Sequence, residues 1–146
     1  MATLLELLGT GDKRRAVIDD GLRVLDAEVA DKSGISGMAI KAAYKLVQGV
    51  KPGFVRQVVD WMLDEFLTAL QPVYAEALEK GEPPGAYLQR NGSRVADALL
   101  SVTDARAARA EGSIVKKTYE KLRPAAKKHV EAAAPRLASM LERHTR

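Results

Sequence analysis

The chain has 146 residues, a net charge of +4, one Trp, two Phe and no Cys. That length suffices for one domain with a real hydrophobic core. The absence of cysteine excludes disulfides, thiolate metal ligands and a thiol nucleophile. Few aromatics and abundant alanine favour packed helices over sheets.

The charge is uneven. Residues 1–104 carry 12 Lys and Arg against 15 Asp and Glu, whereas residues 105–146 carry 11 against 4. The reading is one helical domain over residues 1–146, with an acidic part, 1–104, and a basic amphipathic C-terminal segment, 105–146. The opening MATLLELLGTGDKRR lacks the basic start and apolar core of a signal peptide. The longest uncharged run, residues 66–75, is too short to span a bilayer, which needs ~20 apolar residues. A cytoplasmic location is therefore the expectation.

In chain order, Thr3 and Glu6 form a capping box that predicts a very short helix, closed by Gly9 and Gly11. Asp12 is a candidate cap for a helix from 13 to about 32, with Ile18, Leu22, Leu25 and Val29 inward. Lys13, Arg14 and Arg15 oppose the helix dipole in its first turn, and Arg15 has Asp19 at i,i+4. An anion contact is the functional alternative for these three cations. Ser36 is expected to cap the helix 37–49, with Ile35 stapled onto Ile40. The small residues Ala39, Ala42 and Ala43 predict a tight crossing, with Lys41, Lys45 and Lys51 on another side.

Lys51-Pro52-Gly53 breaks the chain before the most apolar segment, 53–71. Its polar residues, Gln57, Asp60, Asp64, Thr68 and Gln71, form one narrow stripe, and Trp61 and Phe66 lie off it. Such a helix is expected at the centre of a bundle. Pro72 marks a kink or a new helix, and Glu82-Pro83-Pro84-Gly85 a loop. A turn of helix over 86–90, a helix 94–102 capped by Ser93, and an Ala/Arg helix after Thr103 or Asp104 follow. From residue 113 on, Val115, Tyr119, Leu122, Ala126, Val130, Ala133, Leu137 and Leu141 keep an 11-residue period across Pro124 and Pro135. Collinear, proline-broken helical pieces are expected there. The fold class is an all-α irregular bundle of six to eight helices.

Asp60, Asp64 and Glu65 are a dense acidic group, but a helical di-metal site needs Glu-x-x-His pairs. The residues three before His129 and His144 are Ala126 and Leu141, so no metal site is expected. His129, beside Lys127 and Lys128, reads as an exposed surface residue. Gly-x4-Gly-Lys-Ser/Thr and Gly-x-Ser-x-Gly are both absent. No nucleophile, base and orienter assemble, and no cofactor is expected.

The candidate site residues are therefore the basic face of the last third: Arg106, Arg109, Lys116, Lys117, Lys121, Arg123, Lys127, Lys128 and Arg136. They suit an anionic partner, either nucleic-acid phosphates or an acidic membrane surface. An alternative is a lipid or apolar-ligand binder with a cavity beside the central helix. A homo-oligomer fits either reading. Asp60 and Asp64 are expected to pair with a cation of residues 106–136.

The proline-punctuated 11-residue period resembles the exchangeable apolipoproteins over about thirty residues, with short Ala side chains on the stripe. That resemblance assigns no residues. Across the whole chain, TLLELLGTGDKRRAVIDD, DKSGISG, VKPGFV and KKTYEKLRPAAKKHVEAA are similar to a family of small bacterial proteins of unknown function. The resemblance implies a bacterial, self-standing domain and transfers no sites.

Overall fold

The computed structural model describes residues 2–145, without the side chain of Val115, the first residue of the predicted apolar stripe. Among the described residues the chain forms seven helices and no strand: α1 Leu4–Leu8, α2 Gly11–Asp31, α3 Gly34–Gln48, α4 Phe54–Glu79, α5 Pro84–Arg90, α6 Gly92–Arg109 and α7 Ser113–Thr145. The protein is an all-α domain.

Several predicted breaks are absent. The central helix runs on through Pro72 to Glu79, and α7 is one helix through Pro124 and Pro135. Proline removes an amide donor and crowds the carbonyl four residues earlier, at ~3 kcal/mol in a helix interior. All three prolines are exposed, as are Thr68, Glu120 and Glu131, whose carbonyls lose their partners, so the defects lie on solvent-facing turns. The two helices expected after Ser93 are one, α6; Asn91 stands at its N-cap position, and the Thr103 hydroxyl donates to the Leu100 carbonyl within the helix.

Side-chain pairs fix the helix directions. Arg14 meets Asp60 and Asp64 while Asp19 meets Arg56, so α2 and α4 are antiparallel. Arg94 with Glu76 and Arg106 with Glu65 set α6 antiparallel to α4. Arg123 with Asp104 and Lys127 with Asp97 do the same for α7 and α6. Arg143 with Asp20 and Arg136 with Asp31 close the ring between α7 and α2. Helices α2, α4, α6 and α7 are thus antiparallel neighbours around a ring, staggered along α7, with α6 against its first half and α2 against its second.

The last turn of α2 and the first turn of α6 both meet residues 129–136 of α7. Helices α1 and α5 pack against α4 and α7. Leu4 and Leu8 of α1 are fully buried, in one hydrophobic cluster with residues of α2, α4, α5, α6 and α7. The Thr3–Glu6 capping box is present, and the Gln71 side chain accepts the Leu4 amide at 2.7 Å. Among the described residues, buried apolar side chains come only from 4–18, 63–102 and 134–141, and none from the second half of α2, the start of α4 or the stretch from the end of α6 into the first half of α7.

Helix α3 packs on α2 and α4. It begins after Ser33, not Ser36, and Ile35 is 91% exposed, so no staple onto Ile40 forms. The tight crossing expected on the alanine face is absent; the close backbone approach is at Gly37, the only buried residue of α3, where a Cβ would stand 2.9 Å from the carbonyl carbon of Lys32, the C-cap of α2. Ala39, Ala42 and Ala43 face solvent instead. The Tyr44 hydroxyl bonds Asp26 of α2, and burial together with that carboxylate pushes the phenol up to about 12. Gly53, at φ 75, turns the chain into α4 after Pro52, a conformation that suits glycine.

Candidate anionic-partner surface

The nine cations singled out from sequence divide into two groups. Arg106 donates from Nη2 to Glu65 Oε1 at 2.5 Å and from Nε to Glu65 Oε2 at 3.2 Å, and it reaches the Trp61 carbonyl at 3.4 Å. Arg123 grips Asp104 in a fork, Nε to Oδ1 at 2.9 Å and Nη2 to Oδ2 at 3.1 Å. With the Tyr119 hydroxyl also donating, Arg123 holds the Asp104 carboxyl below its ordinary range. Burial, then the Asp104 hydrogen bond, pushes the Tyr119 phenol up. Lys127 meets Asp97 at 2.8 Å. Arg136 bridges Glu28, at 2.8 Å, and Asp31. These four cations join helices to one another.

Arg109, Lys116, Lys117, Lys121 and Lys128 are exposed, and among the described residues none of them stands in an ion pair. Lys117, Lys121, Pro124 and Lys128 follow one another at spacings of 4, 3 and 4, which puts them on one face of α7. The helix-joining residues Arg123 and Lys127 lie on a different side. The free cations therefore belong to the solvent side of α7's first half and the adjoining end of α6.

The acidic stripe of α4 has another partner than expected. Neither Asp60 nor Asp64 pairs with a cation of residues 106–136. Arg14 takes both, at 2.9 and 2.6 Å, and donates to the Gly9 and Asp60 carbonyls at 2.8 and 2.7 Å. Helix α2 crosses α4 there, so Arg14 arrives from 46 residues upstream; Arg106 lands on Glu65 instead. Arg14 is thus a structural clamp rather than an anion contact. Arg15 pairs with Asp12, and Asp19 with Arg56.

At the far end of α7, Asp20 accepts from Arg143 at 2.8 Å and lies 2.9 Å from His144 Nε2. Burial raises the Asp20 carboxyl, but these partners together outweigh it and hold it below its usual range. A groove of about 390 Å³ beside this cluster is lined by Arg23, Val24, Ala27, Pro135, Ser139 and neighbouring charges. His129 is half-buried rather than exposed: burial, then Lys32, pushes its imidazole below the ordinary value, and Lys32 Nζ donates to its carbonyl at 3.4 Å. A hollow beside the central helix is lined by Asp64, Glu65, Thr68 and Ala69. Trp61 is 56% exposed, outside the core where the sequence put it.

Sequence reasoning missed a second feature. Ile35, Met38, Leu46, Val50, Trp61, Ile114 and Leu122 are exposed, all outside the segments that supply the buried apolar residues. The signal was legible on α3, where Ile35, Met38, Ala42 and Leu46 keep a helical period. Residues 33–59 also contain no Asp or Glu. Among the described residues no helix is long and apolar enough to cross a membrane, and no acidic or histidine cluster could hold a metal ion.

A family model described as a family of unknown function, DUF6918, matches residues 4–145, and the chain belongs to that family. No curated protein and no solved structure matches the chain.

Proposed function

We propose that this member of a family of unknown function is a non-enzymatic helical interaction module that docks an anionic partner on the free lysine face of α7's first half. One observation carries the reading: Arg109, Lys116, Lys117, Lys121 and Lys128 remain exposed and unpaired where four neighbouring cations are taken up by the protein's own carboxylates. Unpaired lysines aligned on one face repel one another and gain energy only when phosphate, sulfate or carboxylate groups approach. A bacterial, cytoplasmic setting suits such a module, and a homo-oligomer would present several copies of the face.

The test uses heparin as a generic polyanion. The triple variant Lys117→Gln, Lys121→Gln, Lys128→Gln should elute from immobilised heparin at markedly lower salt than the parent. A control, Lys13→Gln, Arg15→Gln, Arg23→Gln, removes the same charge from α2 and should elute between the two. Equal elution of the two triple variants would refute a localised site and leave only net charge as the cause.

A further inference from the structure

We propose that α3 is an interfacial helix that lays its apolar face into the headgroup region of an anionic lipid bilayer. This deepens the anionic-partner reading and rests on it for the sign of the charge, but it stands on a different element. Helix α3 presents Ile35, Met38 and Leu46, at 91%, 70% and 76% exposure, along one stripe with Ala39 and Ala42 between them. At 100° per residue the stripe is about 100° wide. The opposite side, through Gly37 and Tyr44, holds the helix to α2. The exposed face therefore adds nothing to the core and can be occupied without unfolding anything.

Charge complementarity selects the occupant. Residues 33–59 carry Lys41, Lys45, Lys51 and Arg56 and no acidic residue. Arg56 is taken by Asp19, while among the described residues Lys41, Lys45 and Lys51 stand in no ion pair. Lys45 borders the stripe beside Met38, so its stem can follow the apolar face while its ammonium stays in the polar layer. What covers this face must be apolar and anionic together. A bilayer containing acidic lipids offers both in one surface. A second copy, apposed about a two-fold axis, would set the same lysines against one another. A soluble polyanion would meet the lysines and leave Ile35, Met38 and Leu46 in water.

The test uses the full chain with extruded vesicles of phosphatidylcholine alone and of phosphatidylcholine with one-quarter phosphatidylglycerol. The absence of native cysteine allows single-site labelling. An environment-sensitive fluorophore on Ala39→Cys should shift to the blue with phosphatidylglycerol vesicles, and the same label on Ser101→Cys of α6 should not. The double variant Ile35→Ser, Leu46→Ser should lose roughly tenfold or more in co-sedimentation, since each side chain contributes burial worth about that factor. Both positions are exposed, so the variant should keep its circular dichroism.

Other outcomes sort the two readings. Vesicle binding without a label shift at position 39, abolished by the α7 lysine triple, would overturn the α3 inference and leave the anionic-partner reading intact. Heparin retention without vesicle binding would do the same. A dimer that the Ile35→Ser, Leu46→Ser variant converts to monomer in sedimentation would make a second copy the occupant and also overturn it. Failure on both heparin and vesicles would remove both readings.

Discussion

Replacing Arg14 with Met should be the most informative single change in the bundle. The guanidinium makes four hydrogen bonds, two to the Asp60 and Asp64 carboxylates and two to the Gly9 and Asp60 carbonyls. Its side chain is 22% exposed, but the two carboxylates are more than half exposed, so water screens those pairs. Exposed pairs contribute about 0.2–1 kcal/mol each, and charge-assisted bonds to carbonyls up to ~1.5–3 kcal/mol when shielded. A discounted sum for the clamp is about 2–3 kcal/mol. Met keeps most of the stem's packing, so the change isolates the polar contacts. In urea the midpoint should fall with an unchanged slope, and the melting temperature should drop by roughly 4–10 °C for a chain of this size. Arg14→Lys should recover less than half, because one ammonium cannot reach both carboxylates and both carbonyls in a fork. A loss below about 0.5 kcal/mol, or a Lys variant as stable as the parent, would refute the clamp.

Four further outcomes are expected. Arg94, then Tyr87, holds the Glu76 carboxyl down to about 2, below its ordinary 4.5. Its contribution is therefore complete above pH 4.5 and lost as pH falls toward 2, and Glu76→Gln should flatten the acid limb of a stability–pH curve in that window. His129 has the opposite chemistry and the same sense: its depressed value means the unfolded chain takes up the proton first, so stability falls as pH drops below 6.5. Acid titration of a His129→Gln variant should lack that step. Gly37→Ala places a Cβ 2.9 Å from the Lys32 backbone and should loosen α3 from α2 by about 1–3 kcal/mol, read as faster amide exchange confined to α3. Leu8→Ala, in a fully buried position, should cost about 2–5 kcal/mol in urea unfolding despite the brevity of α1.

Features set by neighbouring residues were legible in the sequence. The capping box at Thr3 and Glu6 and the end of α1 at Gly9 follow from local hydrogen bonding and backbone freedom, whereas Pro84 and Gly85, expected in a loop, open α5, since proline suits the first position of a helix. Helix α7 continues through its prolines because both face solvent, but among the described residues of the expected inward stripe only Leu141 is buried, and Leu122 is exposed. What escaped depended on which helices meet. Spacing marked Asp60 and Asp64 as one face, but only the crossing of α2 over α4 brings Arg14 to them. Apolar and small residues usually pack, so spacing alone places Trp61 and the alanines of α3 in contacts, yet among the described residues they stand exposed. For the candidate site, the sequence marked all nine cations alike, since charge and periodicity do not report an opposing carboxylate.

That division of the cations explains why the basic third is compatible with a defined bundle. Arg123, Lys127 and Arg136 each meet a carboxylate from another helix, Asp104, Asp97 or Glu28 with Asp31. Pairs between different helices favour one antiparallel register over shifted ones, even where each is worth little in stability. Lys117, Lys121 and Lys128 give no such register, and their mutual repulsion costs a few tenths of a kcal/mol per neighbouring pair. The apolar face of α3 is the same case in another currency, since Ile35, Met38 and Leu46 gain nothing from burial within the chain. Both departures from a self-sufficient bundle lie outside the segments that supply the buried core, 4–18, 63–102 and 134–141.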